Sequence, residues 1–204
     1  FRFDQFTQYL GQASAERKQK AKDIIEELLA RVPYKNFYDR IKKSPDDFNL
    51  RVMHHDAKIA NVLFHYQTGK IICAVDFDTV MPGHYFSDLG DLIRSMACSQ
   101  DEASVHFDQI EIRPSFYEAL LTGYQTVMDP LLTPLEKKYL HHAGLLMIYM
   151  QALRFMGDYL NNDRYYRIQY PDQNFDRGKN QLLLLKKLEE FLTSRYHYAL
   201  YPSD

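Results

Sequence analysis

A short predicted hairpin constrains the fold of this chain more than any other stretch. Residues 62–66 and 71–75 are largely apolar runs typical of strands, and the four residues between them include Gly69, where a tight turn needs a positive φ. A hairpin brings its two ends together. Asn61 precedes the first strand and Asp76 follows the second, so we expect these two polar side chains to lie side by side. Such a pair would suit a shared metal site.

The residues just before the hairpin match a catalytic pattern. Residues 54–61, HHDAKIAN, fit H-x-D-x-x-x-x-N, in which the Asp orients an attacking hydroxyl and the Asn holds Mg²⁺ during phosphoryl transfer. Asp56 would accept or orient the hydroxyl proton, Lys58 would reach a transferring phosphate oxygen, and His54 would brace the loop. The alternative is a polar turn in which Asp56 caps backbone N–H groups.

A second acidic motif follows the hairpin. Asp76, twenty residues after Asp56, stands where kinases carry the Mg²⁺-binding Asp of D-F-G, and here the triplet is Asp76-Phe77-Asp78. Asp78 is equally consistent with a metal ligand and with a turn cap. A D-x-D triplet also occurs in metal-dependent glycosyltransferases, but that interpretation leaves the preceding catalytic-loop pattern unexplained. The histidines show no zinc-site spacing such as H-E-x-x-H, so a zinc hydrolase is not favoured.

Helical patterns dominate the rest of the chain. A further strand is predicted at residues 50–53, Pro82-Gly83 predicts a turn, and no strand–helix–strand alternation follows, which favours an α+β fold. Residues 1–11 predict a linker or short helix, and the polar, Tyr-rich residues 161–175 predict a loop. Apolar periodicity predicts helices over residues 14–32, 37–43, 87–97, 115–128, 134–160 and 177–195. Ser14 and Thr133 are the predicted N-caps, and Pro33 is predicted to end the first helix.

Composition narrows the class of partner and the compartment. A chain of 204 residues, 46% of them hydrophobic, supports one domain with a packed core. The formal net charge of −2 gives no electrostatic surface for nucleic acid, and no apolar run reaches the roughly 20 residues that a membrane helix needs. The two cysteines, Cys73 and Cys98, fit a reducing compartment, so we expect a cytoplasmic protein with Cys73 buried in its strand.

Three segments together resemble a known family. HHDAKIANVLF, AVDFDTVMPG and SDLGDLIR are similar to the aminoglycoside phosphotransferase and choline kinase superfamily, whose members share the protein-kinase-like fold. Within it the chain most resembles the N-acetylhexosamine 1-kinases, which have a comparable D-T-V-M-P-G stretch followed by D-x-G-D-x-I-R. The resemblance is specific over residues 52–94, and it is weaker but consistent through Arg154 and residues 174–181.

The resemblance implies a role for each matching residue. Asp56 would be the catalytic base, Asn61 and Asp76 the Mg²⁺ ligands, and ATP and Mg²⁺ the cofactors. Asp88 would be the structural Asp that braces the catalytic loop. Asp91, Arg94 and, more weakly, Arg154 are assigned to sugar hydroxyls. For Asp91 and Arg94 the alternative is an intrahelical ion pair at i,i+3.

Two departures from the kinase pattern limit what the resemblance implies. The triplet D-F-D replaces D-F-G and no A-P-E segment follows, which argues against a protein kinase and for a small-molecule kinase. There is also no Gly-rich phosphate loop and no V-A-I-K strand. We therefore expect residues 1–204 to be the C-terminal, catalytic lobe, without the N-terminal lobe that clamps the nucleotide, and to be inactive alone.

These observations favour an ATP- and Mg²⁺-dependent kinase that phosphorylates a hydroxyl of a small molecule. An N-acetylhexosamine, phosphorylated at its anomeric hydroxyl in sugar metabolism, is the acceptor that the resemblance implies. An aminoglycoside or choline-type acceptor is the alternative within the same chemistry. An alternative from another class is a non-catalytic, kinase-like binding module, although the intact Asp56, Asn61 and Asp76 argue against loss of the site.

Overall fold

The computed structural model describes residues 2–201, so that Phe1 and residues 202–204 lie outside the described part. Residues 2–12, where the sequence predicts a linker or short helix, form a helix anchored by the buried side chain of Phe6. Ahead of the first strand, the described chain forms helices α1 to α4, which are Arg2–Gln12, Ala15–Lys20, Lys22–Ala30 and Val32–Lys43.

The prediction of one helix over residues 14–32 is wrong. Ser14 does cap α2, since its side chain accepts a hydrogen bond from the backbone N–H of Arg17, but the helix is interrupted at Ala21 and again at Arg31. Pro33 lies in the first turn of α4, where its missing N–H leaves no helical hydrogen bond unmade. The break at Arg31 coincides with an ion pair between this residue and the distant Glu189, at 2.7 Å, which the local sequence could not indicate.

Two antiparallel strand pairs flank the catalytic-loop segment in residues 2–201. Strands β2 (Val62–Phe64) and β3 (Ile71–Ala74) form the predicted hairpin, with Gly69 at φ +65° in its turn. Strand β1 (Arg51–Met53) pairs with β4 (Met81–Gly83), so the predicted turn at Pro82-Gly83 is wrong. Proline is tolerated in this strand because a two-stranded pair has free outer edges.

Beyond the strands the described chain is mainly helical, with largely irregular segments at residues 98–113 and 161–172. Thr133 caps α7 as predicted, through a capping box with Glu136. The continuous helix predicted for residues 134–160 is wrong, because the chain leaves helical geometry at Tyr139, between α7 and α8. Helix α5 (Phe86–Leu92) passes into a turn of π-helix, Ile93–Ala97, and the remaining helices α6 to α9 are Pro114–Met128, Pro134–Lys138, His142–Leu160 and Gln173–Tyr196.

Helix α8 forms the centre of the core. It is buried along nearly its whole length and packs against α9, α5 and α1. Its approach to α5 is very close at Gly90, where an added Cβ would lie 2.3 Å from the carbonyl oxygen of Ala143. Neither α8 nor any other helix in residues 2–201 is long and apolar enough to cross a membrane.

The strands, in contrast, lie at the surface. Val52 in β1 is 78% exposed, Ile71 in β3 is 69% exposed, and all four residues of β3 are exposed. The prediction that Cys73 is buried is therefore wrong, because no layer of the described residues covers its side of the hairpin. The predicted architecture, a mainly helical α+β fold with a small hairpin at the catalytic loop, is confirmed.

The close packing of α5 on α8 gives a stability prediction. Gly90→Ala should lower the free energy of unfolding by about 2 kcal/mol, since a methyl group cannot fit against the Ala143 carbonyl without displacing a packed helix. Urea denaturation measures this change. The matched control is Gly123→Ala in α6, which should raise the same free energy by about 0.5–1 kcal/mol, because nothing lies within 4 Å of its Cβ position. Equal stability of the two variants would contradict the close packing.

Candidate active site

A single carboxylate shapes the start of the catalytic loop. The two oxygens of Asp88, at the start of α5, accept hydrogen bonds from the backbone N–H groups of His54 and His55, at 2.9 and 2.8 Å. His55 has φ +65°, a conformation that non-glycine residues rarely adopt, so the loop needs such an external support. The hydroxyl of Thr79 also donates to the His54 carbonyl at 2.5 Å. The loop is thus fixed from both α5 and the segment after β3.

The two histidine rings make contacts that brace the loop. The His54 ring lies 2.8 Å from the carbonyl oxygen of Val75 through Nε2, which must carry the proton because a carbonyl only accepts. The His55 ring binds the Ser87 hydroxyl at 2.7 Å. It also packs on Gly83, where an added Cβ would lie 2.3 Å from the ring. His54, which the sequence placed among the catalytic residues as a brace, therefore ties the loop to the end of β3.

Asp56 is held through one oxygen only. Its Oδ2 accepts hydrogen bonds from the Lys58 ammonium and from the Asn61 side-chain amide, both at 2.8 Å. Within residues 2–201 no donor binds Oδ1, so this oxygen is available to an incoming hydroxyl. The sequence left open that Asp56 caps backbone N–H groups of the loop. In the structure it is Asp88 that accepts hydrogen bonds from the loop backbone, at His54 and His55.

The same contacts set the charge of Asp56. Partial burial would raise the pKa of this carboxyl, but the hydrogen bonds from Lys58 and Asn61 and the nearby charge of Arg94 lower it, and the net pKa lies below its usual range. Asp56 is therefore ionised at neutral pH. An ionised carboxylate of low pKa orients a hydroxyl through a hydrogen bond, and it takes the proton only as the hydroxyl becomes acidic in the transition state.

The hairpin brings Asn61 and the Asp76 segment together. The backbone N–H of Val75 donates to the Asn61 carbonyl at 2.9 Å, which joins the residue before β2 to the residue before Asp76. Asn61 is buried, and its amide nitrogen is bound to Asp56, so its side-chain oxygen remains as a ligand atom. Asp76 is exposed, with φ +67°, and no side chain in residues 2–201 binds its carboxylate.

These donors fit a magnesium ion. An amide oxygen and a free carboxylate are hard oxygen ligands, and Mg²⁺ in nucleotide sites needs only one or two protein carboxylates beside phosphates and water. Asp78 lies two residues further on, exposed, in the 3₁₀ turn Phe77–Thr79. The described residues contain no group of three or more His, Cys, Asp or Glu able to hold a metal ion by themselves. Ligation by Asp78 stays a prediction.

Asp91 and Arg94 form the intrahelical ion pair that the sequence left as an alternative. Two nitrogens of Arg94 bind the same Asp91 oxygen at 2.8 Å, and the side chains are only 6% and 3% exposed. Arg94 also donates to Glu102 at 2.6 Å, and Arg177 of α9 binds the other Glu102 oxygen. Burial raises the pKa of Asp91. Burial would also raise the pKa of Glu102, but the positive charges of Arg94 and Arg177 outweigh it, and the pKa of Glu102 is lowered. The network holds Arg94 in place near Asp56.

A family comparison covers the part of the chain that carries this site. The family model APH, described as a phosphotransferase enzyme family, matches residues 1–133. The chain belongs to this phosphotransferase family. The match includes the catalytic loop, the hairpin and helices α1 to α6. With the architecture described above, it confirms the expected fold as the mainly helical C-terminal lobe of a kinase-like protein.

Arg154 of this phosphotransferase lies apart from the Asp91–Arg94 pair. Its guanidinium group is 5.5 Å from the ring of Tyr166 and donates to Gln151 at 3.2 Å, while its Nε is buried without a partner. Arg177 stacks near the same Tyr166 ring, at 5.1 Å. Within residues 2–201, Arg154 is therefore linked to the Arg94 network through Tyr166 and Arg177.

Several residues that position the candidate site have little or no signature in the sequence. Ser95 accepts from the Ile59 backbone N–H at 3.1 Å and so ties the catalytic loop to the π-helical turn. Glu102 and Arg177 join the loop after α5 to α9. The only sequence signal for Arg177 was the weak resemblance over residues 174–181, and Ser95 and Glu102 carried none.

The contacts of Asp56 predict the effect of removing Lys58. Lys58→Met should raise the pKa of Asp56, because a cation that stabilises the carboxylate is lost while burial remains. A ¹³C NMR titration of the carboxyl carbons measures this pKa. Lys70→Met, at the exposed hairpin turn, is the control and should leave the Asp56 titration unchanged. An unchanged or lower pKa in Lys58→Met would contradict the proposed electrostatics.

Proposed function

We propose that this protein is an ATP- and Mg²⁺-dependent phosphotransferase that moves the γ-phosphate of ATP to a hydroxyl of a small molecule. One observation carries the proposal. Asp56, a carboxylate with a lowered pKa, keeps one oxygen without a partner in residues 2–201 while Lys58 and Asn61 hold the other. Asp76, whose carboxylate binds no side chain in the same range, directly follows Val75, which is bonded to Asn61. Membership of the phosphotransferase family supports the same chemistry.

The side chains divide the work of an in-line transfer. The free oxygen of Asp56 would accept a hydrogen bond from the hydroxyl of the acceptor molecule. This bond would direct a lone pair of the hydroxyl oxygen at the γ-phosphorus. As the new O–P bond forms and the bond to the β–γ bridging oxygen breaks, the hydroxyl proton would pass to Asp56, and ADP would leave. Asn61 and Asp76 would hold Mg²⁺, which when bound neutralises the charge on the β- and γ-phosphate oxygens. Lys58 would add positive charge beside the transferring group.

We further propose an N-acetylhexosamine as the acceptor, phosphorylated at its anomeric hydroxyl. The D-T-V-M-P-G and D-L-G-D-L-I-R segments support this choice by their resemblance to sugar 1-kinases. The cations near Asp56 are both paired, Lys58 with Asp56 and Arg94 with Asp91 and Glu102, so a cationic acceptor such as choline or an aminoglycoside stays the alternative. Because Asp91 is buried against Arg94, we assign Asp91 to positioning Arg94. Arg154 stays a candidate for a more distant hydroxyl.

We also propose that a nucleotide-clamping lobe covers the strands in the active kinase. The exposed apolar side chains of β1 and β3, such as Val52 and Ile71, support the idea, since monomers rarely leave such strands uncovered. Residues 1–204 alone would then bind ATP weakly and turn over little. The free thiols of Cys73 and Cys98 suit a reducing compartment, in agreement with a cytoplasmic kinase.

Replacement of the proposed base gives the first activity prediction. In the product of the complete reading frame, Asp56→Asn should lower kcat by roughly 10²–10⁴-fold, the usual effect of losing a general base. Acceptor-dependent ADP release measures kcat, and the exposed Asp108→Asn serves as the matched control. A kcat close to that of the unmodified enzyme would remove Asp56 from this role.

Replacement of a proposed metal ligand gives a prediction for nucleotide binding. Asp76→Ala should abolish detectable binding of Mg²⁺-ATP. The measurement is the fluorescence of a labelled nucleotide at increasing Mg²⁺ concentration. Asp78→Ala is tested in the same assay. If Asp78 is a second Mg²⁺ ligand, its loss should weaken the Mg²⁺ dependence of binding in a similar way, and if it is only a turn residue, the dependence should stay unchanged. An unchanged Mg²⁺ dependence in Asp76→Ala would count against the assigned site.

An acceptor panel tests the function as a whole. ADP release with Mg²⁺-ATP should depend on N-acetylglucosamine or N-acetylgalactosamine and not on choline or kanamycin. Release with a cationic acceptor alone would replace the sugar by the amine-alcohol class. A folded protein that binds no Mg²⁺-ATP and phosphorylates none of the four would instead be a kinase-like binding module.

A further inference from the structure

The catalytic loop is attached to α5 and its continuation at a second point besides Asp88. Ser95, seven residues after Asp88, lies in the turn of π-helix that continues α5, and its hydroxyl accepts a hydrogen bond from the backbone N–H of Ile59 at 3.1 Å. Seven residues make about two turns of helix, so the two attachment points are roughly 10 Å apart along α5. The loop from His54 to Ile59 runs between them, and it carries Asp56.

The direction of the Ser95 hydroxyl is fixed by its partners. A backbone N–H can only donate, so the Ser95 oxygen accepts from Ile59, and its single proton goes to the carbonyl oxygen of Asp91, at 2.8 Å. That carbonyl belongs to α5, which packs on the buried helix α8. A hydroxyl whose proton is already committed to its own helix is suited to hold the loop and has no proton left to donate to a ligand.

Ile59 begins the segment that carries a proposed metal ligand. Residues Ile59–Asn61 form a 3₁₀ turn, in which the backbone N–H of Asn61 donates to the Lys58 carbonyl at 2.9 Å. The Asn61 amide nitrogen donates to both the backbone carbonyl and Oδ2 of Asp56, each at 2.8 Å. The place of Ile59 therefore sets the place of the Asn61 side-chain oxygen relative to Asp56.

The two attachment points act on different halves of the loop. Asp88 binds the backbone just before Asp56, whereas Ser95 binds the backbone three residues after it. The first point sets how the chain enters the proposed base, and the second sets the side of the loop that leads to Asn61. Single turns of π-helix within α-helices are frequent at functional sites, and here such a turn supplies the second point.

We propose that Ser95 is a positioning residue for phosphoryl transfer, which holds the 3₁₀ turn through the Ile59 N–H so that the Asn61 oxygen stands ready for Mg²⁺. The inference rests on the proposed phosphotransferase function. Loss of the hydroxyl should loosen the metal side of the loop and leave the side held by Asp88 unchanged. Mg²⁺ affinity and kcat should then fall together, while the KM for the acceptor stays the same.

Amide hydrogen exchange tests the contact independently of activity. In the product of the complete reading frame, Ser95→Ala should speed the exchange of the Ile59 amide about 10-fold, because its hydrogen-bond acceptor is lost. Exchange at His54 and His55 should not change. The matched control is Ser194→Ala in α9, an exposed serine whose hydroxyl donates to a carbonyl of its own helix, and it should alter none of these rates. Unchanged exchange at Ile59 in Ser95→Ala would overturn the proposal.

A Mg²⁺ titration tests the functional consequence. In Ser95→Ala, half-saturation of labelled-nucleotide binding should need about 10-fold more Mg²⁺, and kcat with the acceptor found in the panel should fall by a similar factor. A raised acceptor KM with unchanged kcat would overturn the positioning role, because Ser95 would then bind the acceptor. If the unmodified protein neither binds Mg²⁺-ATP nor phosphorylates any acceptor, the proposed function falls and the role of Ser95 in it falls too, whatever the exchange rates show.

Ile59→Pro removes the same hydrogen bond from its other end. Lys58 is extended, with ψ 156°, and Ile59 is the first residue of the turn, a combination that proline accepts. In the Ile59→Pro background, Ser95→Ala should cause no further change in half-saturating Mg²⁺, because no N–H remains for the hydroxyl to hold. A further 10-fold change in that background would overturn the proposal, since Ser95 would then act by another route.

Discussion

The double hydrogen bond from the backbone of His54 and His55 to Asp88 is the interaction on which the rest of the site depends. It holds His55 in a left-handed conformation and thereby sets the direction in which the chain enters Asp56. Asp88 belongs to α5, and α5 packs directly on the buried helix α8. The position of the Asp56 carboxylate is therefore fixed by the core of the lobe, not by the loop sequence alone.

The chain that leads into the loop is anchored independently. Glu136, fully buried in the capping box of α7, accepts hydrogen bonds from Arg51 at the start of β1 and from the backbone N–H of Asn49. A buried carboxylate is tolerated only when such partners compensate its desolvation. On the other side of the loop, the bond from Val75 to Asn61 closes the hairpin. The loop is thus fixed before, within and after Asp56, which is the preorganisation that catalysis by positioning requires.

Local patterns predicted the parts of the structure whose causes are local. The hairpin turn at Gly69, the cap at Thr133 and the placement of Asn61 beside the Asp76 segment follow from spacing over a few residues. The break at Arg31, by contrast, lies at an ion pair with the distant Glu189, and at the break after α7 the carbonyl oxygen of Tyr139 accepts a hydrogen bond from the distant Tyr85. The surface position of the hairpin depends on packing that periodicity does not contain. Glu102 and Arg177 were missed for the same reason, since charges 75 residues apart give no pattern.

The exposure of the hairpin has a consequence for how the site would respond to a nucleotide. Asp56, the proposed base, belongs to a loop locked to the core, whereas Asp76 follows a two-stranded hairpin whose β3 is exposed at every residue. Isolated two-stranded hairpins are marginally stable without a covering layer. The lobe therefore combines a loop locked to the core with an exposed hairpin, and the two are joined through Val75 and Thr79 on either side of Asp76. If the hairpin is ordered further when a metal nucleotide binds, the measured affinity would report the entropy of the hairpin as well as the strength of the ligand bonds.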